Sequence, residues 1–148
     1  PWKEPGKPGR SPRGSFANPA LLEAMERAGR PDSFLHLIGL FSSGTVHAYF
    51  EHFFAVLELA KKQGIGKVFL HLFTDGKDSS KQEAGGFLAK QTERLRGAYP
   101  AVKIVSLVGR RFAMDRESRW DLTEAAYRLL VEGKGTGFQD PTAGRRIA

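Results

Sequence analysis

Lys103-Ile104-Val105-Ser106-Leu107-Val108 runs directly into Gly109-Arg110-Arg111-Phe112-Ala113-Met114-Asp115-Arg116-Glu117-Ser118-Arg119-Trp120, and this junction decides the reading of the fold. The first six residues are a short, mainly apolar run with the branched side chains of a buried strand. Four arginines crowd the segment behind it. Guanidinium is permanently charged and meets a carboxylate or phosphate with two parallel hydrogen bonds. Arginines clustered just past a strand end therefore suggest a pocket for a small anion.

Two similar runs lie upstream. Phe34–Leu40 (FLHLIGL) and Lys67–Phe73 (KVFLHLF) read as strands, and helical patterns separate all three. Asn18-Pro19 offers an N-cap with proline at the first helical position, opening a helix through Leu21, Leu22 and Met25. A second helix spans about Ala48 to Lys62, with Phe50, Phe53, Phe54 and Leu57 at helical spacing and Gly64 closing it. A third, about Lys81 to Arg96, puts Ala84, Phe87, Leu88 and Leu95 on one face. The last, about Arg119 to Val131, turns Leu122, Ala125, Ala126, Leu129 and Leu130 inward. Alternation of this kind predicts an α/β fold in three layers, a mostly parallel sheet covered by helices. Parallel strands end on one side, and ligands bind in the crevice outside their carboxyl ends.

Three loops should meet there. Phe41–His47 holds small hydroxylated residues, Gly44, and a histidine where the next helix begins; it reads as an anion cradle or as a capping turn. In Thr74–Ser80, Asp75 and Asp78 bracket Lys77, and Gly76 permits a tight turn. A carboxylate here could accept a substrate hydroxyl or take a proton, or the loop could be a solvated turn. Gly109–Arg119 is either the anion clamp or a charged surface loop with Asp115 and Glu117 pairing locally. Phe112, Ala113 and Met114 imply that it packs down and fixes its guanidinium groups. His36 and His71 sit inside strand runs and are expected in the core, and His52 on the polar face of its helix.

The chain has 148 residues, 41% hydrophobic, enough for one domain with a real core. It contains no cysteine, so neither a disulfide nor a thiolate metal site can form. No apolar stretch approaches the roughly 20 residues of a membrane span, and the start lacks a signal-peptide layout. A cytoplasmic protein with no membrane partner is the expectation. The net charge of +7 is concentrated at the ends: residues 1–14 carry +3 and residues 135–148 carry +1. The remaining surplus fits a small anion pocket, and no nucleic-acid motif is present. Residues 1–14, with four prolines and three glycines, read as a disordered lead-in, 15–134 as the ordered body and 135–148 as a flexible tail. A start at proline suggests a piece of something longer.

With these loops in view, the sequence resembles the phosphotransferase insert of the 2,3-bisphosphoglycerate-independent phosphoglycerate mutases. The likeness runs from about Gly14 to Lys134, through Ser15–Leu22, Leu35–Leu40, Asp75-Gly76-Lys77-Asp78 and Gly109–Trp120. It implies an enzyme interconverting 3-phosphoglycerate and 2-phosphoglycerate in glycolysis, without a 2,3-bisphosphoglycerate requirement. It also implies a second domain of alkaline-phosphatase type, holding two metal ions (usually manganese) and a serine that becomes phosphorylated. By motif position the resemblance makes His47, Lys77, Asp78, Arg110 and Arg116 substrate-binding, with Asp78 the candidate general base. It assigns no metal ligand to this sequence. Ser43, Thr45, Ala48 and Tyr49 depart from the family's first-loop motif, and Lys77 stands where an arginine is usual. The expectation is a substrate-binding part that is inactive without the phosphatase-type domain. A free-standing module that holds a small phosphorylated acid without turnover is the alternative.

Overall fold

The computed structural model describes residues 17–80 and 83–137. The readings for 1–14 and for most of the tail, 138–148, lie outside the described residues. Helix α1 (Pro19–Ala28) leads into β1 (Leu35–Leu40), α2 (Glu51–Lys62), β2 (Val68–Thr74), α3 (Glu83–Ala98) and β3 (Val102–Gly109). A short α4 (Arg110–Ala113) and then α5 (Trp120–Glu132) follow. Asn18 caps α1 as its sequence demands, its side-chain oxygen accepting the amide of Ala20 at 3.0 Å.

The three strands pair in the order β1-β2-β3, both pairs parallel, so their carboxyl ends share one edge. The fold is α/β, a three-stranded parallel sheet flanked by helices. Period-two alternation turns Leu35, Val68, Leu70 and Leu72 to one face. There they join Met25 of α1, Phe54 and Leu57 of α2, and Leu88 and Leu95 of α3 in one buried cluster. On the other face α5 packs near β3, where Leu122, Ala126, Ser106 and Val108 are buried. Ala125, expected inward, is exposed because the contact stripe of α5 is narrower than its apolar face. Among the described residues no helix is long and apolar enough to cross a membrane.

Within the sheet, two features depart from the sequence reading. His36 and His71 are not core residues: they alternate to the face away from the helical cluster, His36 exposed and His71 half-buried. Their rings are stacked at 5.2 Å, with Nδ1 of His36 2.9 Å from Nε2 of His71, whose Nδ1 lies 2.8 Å from the Ser106 hydroxyl. Burial, followed by the neighbouring His36, lowers the His71 pKa below the usual histidine value. The second departure is a register shift between β2 and β3. Leu70 pairs with Ile104 but His71 with Ser106, leaving Val105 as an extra, exposed residue. The bulge lets Ile104 and Leu107 share one face and brings Ser106 beneath His71.

Candidate functional site

An aromatic platform carries the first loop. Phe41, the residue after β1, is buried with its ring edge-on to Phe53 at 5.3 Å and 5.4 Å from Phe87. Its amide donates to the Phe73 carbonyl at 2.9 Å, extending the β1–β2 ladder by one step. That anchor holds the next residue, Ser42, inward. The buried Ser42 hydroxyl donates to Oδ2 of Asp75 at 2.6 Å and accepts the Gly44 amide at 2.9 Å. His47 is not at a helix start as expected: α2 begins at Glu51, and Phe50 supplies no side-chain cap. Residues 48–50 form a connection, with Tyr49 and Phe50 rings 5.5 Å apart.

The second loop folds around Asp75. Its Oδ1 accepts the amides of Gly76, Lys77 and Asp78 at 2.8, 2.9 and 3.1 Å. Gly76 has φ 137°, a conformation that glycine reaches without strain. The turn aims Asp78 back toward the third loop. Arg110 opens that loop on α4, and its Nη1 donates to Asp75 Oδ1 at 2.9 Å and to Asp78 Oδ2 at 2.6 Å. The side chains of Arg110, Asp75 and Asp78 are only 13%, 2% and 14% exposed.

Burial alone would raise the Asp75 pKa. Hydrogen bonds from Ser42, from the Lys77 and Asp78 amides and from Arg110 outweigh that and hold it well below the carboxylate range. Arg110 is raised in turn by its bonds to Asp78 and Asp75.

These loops border a cleft of about 490 Å³, lined by His47, Asp75, Lys77, Arg110, Arg111, Arg116 and Arg119 among others. Cations outnumber carboxylates along it, since Asp115 and Glu117 are the other acidic lining residues. Nε2 of His47 stands 3.8 Å from Asp78 Oδ2, and its side chain is 45% exposed. Lys77 and Arg116 are exposed and form no ion pair with another described residue. Asp115 does not pair with a neighbouring arginine side chain; its carboxylate accepts the Arg119 amide at 2.8 Å and tethers the start of α5.

The structure thus brings His47, Lys77, Arg110 and Arg116 to one cleft, with Asp78 joined to it through Arg110. Ser42 and Asp75, which tie the three loops together, were not among the site residues the sequence reading assigned. The Asp75-Gly76 step at a strand end was the available signal, since it marks a turn whose carboxylate can bond the amides behind it. Among the described residues no three His, Asp or Glu side chains converge on a metal-sized point.

Comparison with known proteins gives a family match. Residues 12–146 match the family model described as BPG-independent PGAM N-terminus. A 2,3-bisphosphoglycerate-independent phosphoglycerate mutase of Syntrophotalea carbinolica is 38% identical over 128 residues, covering 86% of this chain and 25% of the relative. Mutases of the same description from Salinibacter ruber and Shewanella amazonensis are 42% and 46% identical, covering 85% and 80% of this chain. A phosphoglycerate mutase of Leishmania mexicana, solved at low cobalt concentration, superposes with a TM-score of 0.76 at 25% identity. That match covers 88% of this chain and 26% of the solved one. The chain spans about a quarter of the length of the curated relatives it matches.

Proposed function

The chain belongs to the 2,3-bisphosphoglycerate-independent phosphoglycerate mutase family, and on that premise we propose that it is the part that grips phosphoglycerate while 3- and 2-phosphoglycerate are interconverted. The observation that carries the proposal is the convergence of three strand-end loops on one cation-rich cleft. Phosphoglycerate is a small acid with a carboxylate, a phosphate and a hydroxyl. Each finds a counterpart. Arg110 directs both of its bonds to aspartates from Nη1, which leaves its Nε and Nη2 donors without a partner among the described residues and ready to pair with a carboxylate or phosphate. Lys77 and Arg116 supply charge at the rim, Lys77 as a point charge without a guanidinium's forked geometry. His47 donates to the same anion. Asp78 accepts the glycerate hydroxyl and takes its proton, while Arg110 and Arg116 clamp the carboxylate or phosphate and so keep that hydroxyl in line.

The two manganese ions of the family do not fit the residues described here, because no ligand set converges. In the proposal they and the phosphorylated serine belong to the phosphatase-type domain, and this chain alone binds without turnover. Calorimetry with 3-phosphoglycerate tests the reading. Arg116 is exposed and unpaired, so Arg116→Ala leaves the melting temperature unchanged. Losing a charge-assisted bond of about 1.5–3 kcal/mol weakens binding by roughly tenfold to a hundredfold. Equal affinity in the two proteins would overturn the assignment of Arg116, and absence of binding by the unaltered chain would overturn the function.

A further inference from the structure

Asp75 is the most buried charged side chain of the cleft, and it touches all three loops. Ser42 of the first loop bonds its Oδ2, three amides of its own loop bond its Oδ1, and Arg110 of the third loop bonds Oδ1 as well. We propose that Asp75 is the positioning residue of the anion site, setting the direction in which Arg110 presents its free guanidinium edge; this rests on the cleft being the phosphoglycerate site. Asp75 itself has no need to touch the ligand. Its side chain is 2% exposed against 14% for Asp78, so it has little surface to offer a ligand.

The geometry explains why one aspartate is not enough. A guanidinium bonded to a single carboxylate oxygen at one nitrogen can still swing about that contact. Two oxygens on the same Nη1, 2.9 and 2.6 Å away, fix the plane as well as the position. Asp75 can serve as the fixed point because the turn amides and Ser42 immobilise it first. The backbone of Asp78 is held by the same turn, its amide being the third donor to Asp75.

Asp75→Asn separates positioning from charge and from mere loop support. Asparagine retains a carbonyl oxygen for the three turn amides and for Arg110 Nη1. It loses the charge that strengthens the Arg110 bond, and it puts an amide nitrogen where Oδ2 accepts the Ser42 hydroxyl. Removing a negative charge from an anion-binding cleft strengthens binding on electrostatic grounds alone. Loss of Arg110 orientation acts in the opposite sense. The expected result is roughly fivefold weaker binding of 3-phosphoglycerate, the difference between a charge-assisted bond and a neutral one. The Gly76, Lys77 and Asp78 amides should remain slow to exchange with solvent, while the Arg110 Nε and Nη hydrogens exchange faster. Unchanged or tighter binding overturns the proposal. Asp75→Ala removes amide protection and affinity together, and if it fails to fold the asparagine variant still decides. If the unaltered chain does not bind 3-phosphoglycerate, the functional reading fails instead, and Arg110 side-chain exchange, unaltered or quickened by Asp75→Asn, judges Asp75 independently.

Discussion

At Gly44 the first loop passes so close to the second that a β-carbon there would lie 3.0 Å from the Asp78 carbonyl oxygen and 3.1 Å from its carbonyl carbon. Those atoms are backbone, and the turn around Asp75 holds them, so they cannot give way as a side-chain tip would. Gly44→Ala therefore pushes the two loops apart and strains the Ser42–Asp75 bond. We expect a loss of about 1–3 kcal/mol, seen as a melting temperature lower by several degrees. A melt within one degree of the unaltered chain would show that the loops separate without cost. At this scale the sequence was legible where residue type alone restricts the chemistry. Arginines and aspartates at strand ends pointed to an anion cleft. Which of two aspartates turned inward was not legible, because Asp75 and Asp78 differ only in the amides and the hydroxyl that reach them.

Among the elements, α2 and α3 meet the first loop through edge-on and tilted aromatic rings. Phe41 sits at their junction and also ends the β1 ladder, so it joins the core to the cleft. Arg94 of α3 adds a forked pair to Glu51 at 2.7 and 3.0 Å and lies 3.6 Å over the Phe54 ring, tying the two helices together. Truncating Phe41 to alanine leaves a cavity under Ser42. A cost of about 3–5 kcal/mol, roughly 10 °C in melting temperature for a chain this size, is expected. The same variant should bind 3-phosphoglycerate more weakly, since Ser42 loses its anchor. Periodicity showed the three strands and four long helices to within a few residues, because burial repeats along each element. It missed the bulge at Val105, the short α4 and the later start of α2. Those depend on how neighbouring segments meet: a bulge is set by the partner strand, and the residues before Glu51 are held by packing rather than by a cap.

For the molecule as a whole, the sheet is covered unevenly. The helical cluster fills one face, while His36, Ile38, Phe69 and His71 occupy the part of the other that α5 does not cover, with Ile38 57% exposed. The sequence could not show this, since a strand destined for burial on both faces looks the same before its second cover is known. It has a consequence for pH dependence. Because the His71 pKa is lowered on folding, the unfolded chain binds more protons as pH falls through 6.5, and stability declines there. Asp75, held low, contributes above 3.8 and weakens only on strong acidification, so the two windows are separate. The melting temperature should be lower at pH 5.5 than at pH 7.5, and His71→Asn should flatten that slope; an equally steep slope in the variant would assign it to other groups. The locked Arg110 bears on affinity at this same scale. Its side chain gives up its rotational freedom when the polypeptide folds, so an entropic cost of about 0.5–1.5 kcal/mol falls on conformational stability and not on the encounter with ligand. On the proposed function, Arg116, loose at the rim, would meet that cost only when an anion arrives, which would make it the adjustable half of a grip whose other half is rigid beforehand.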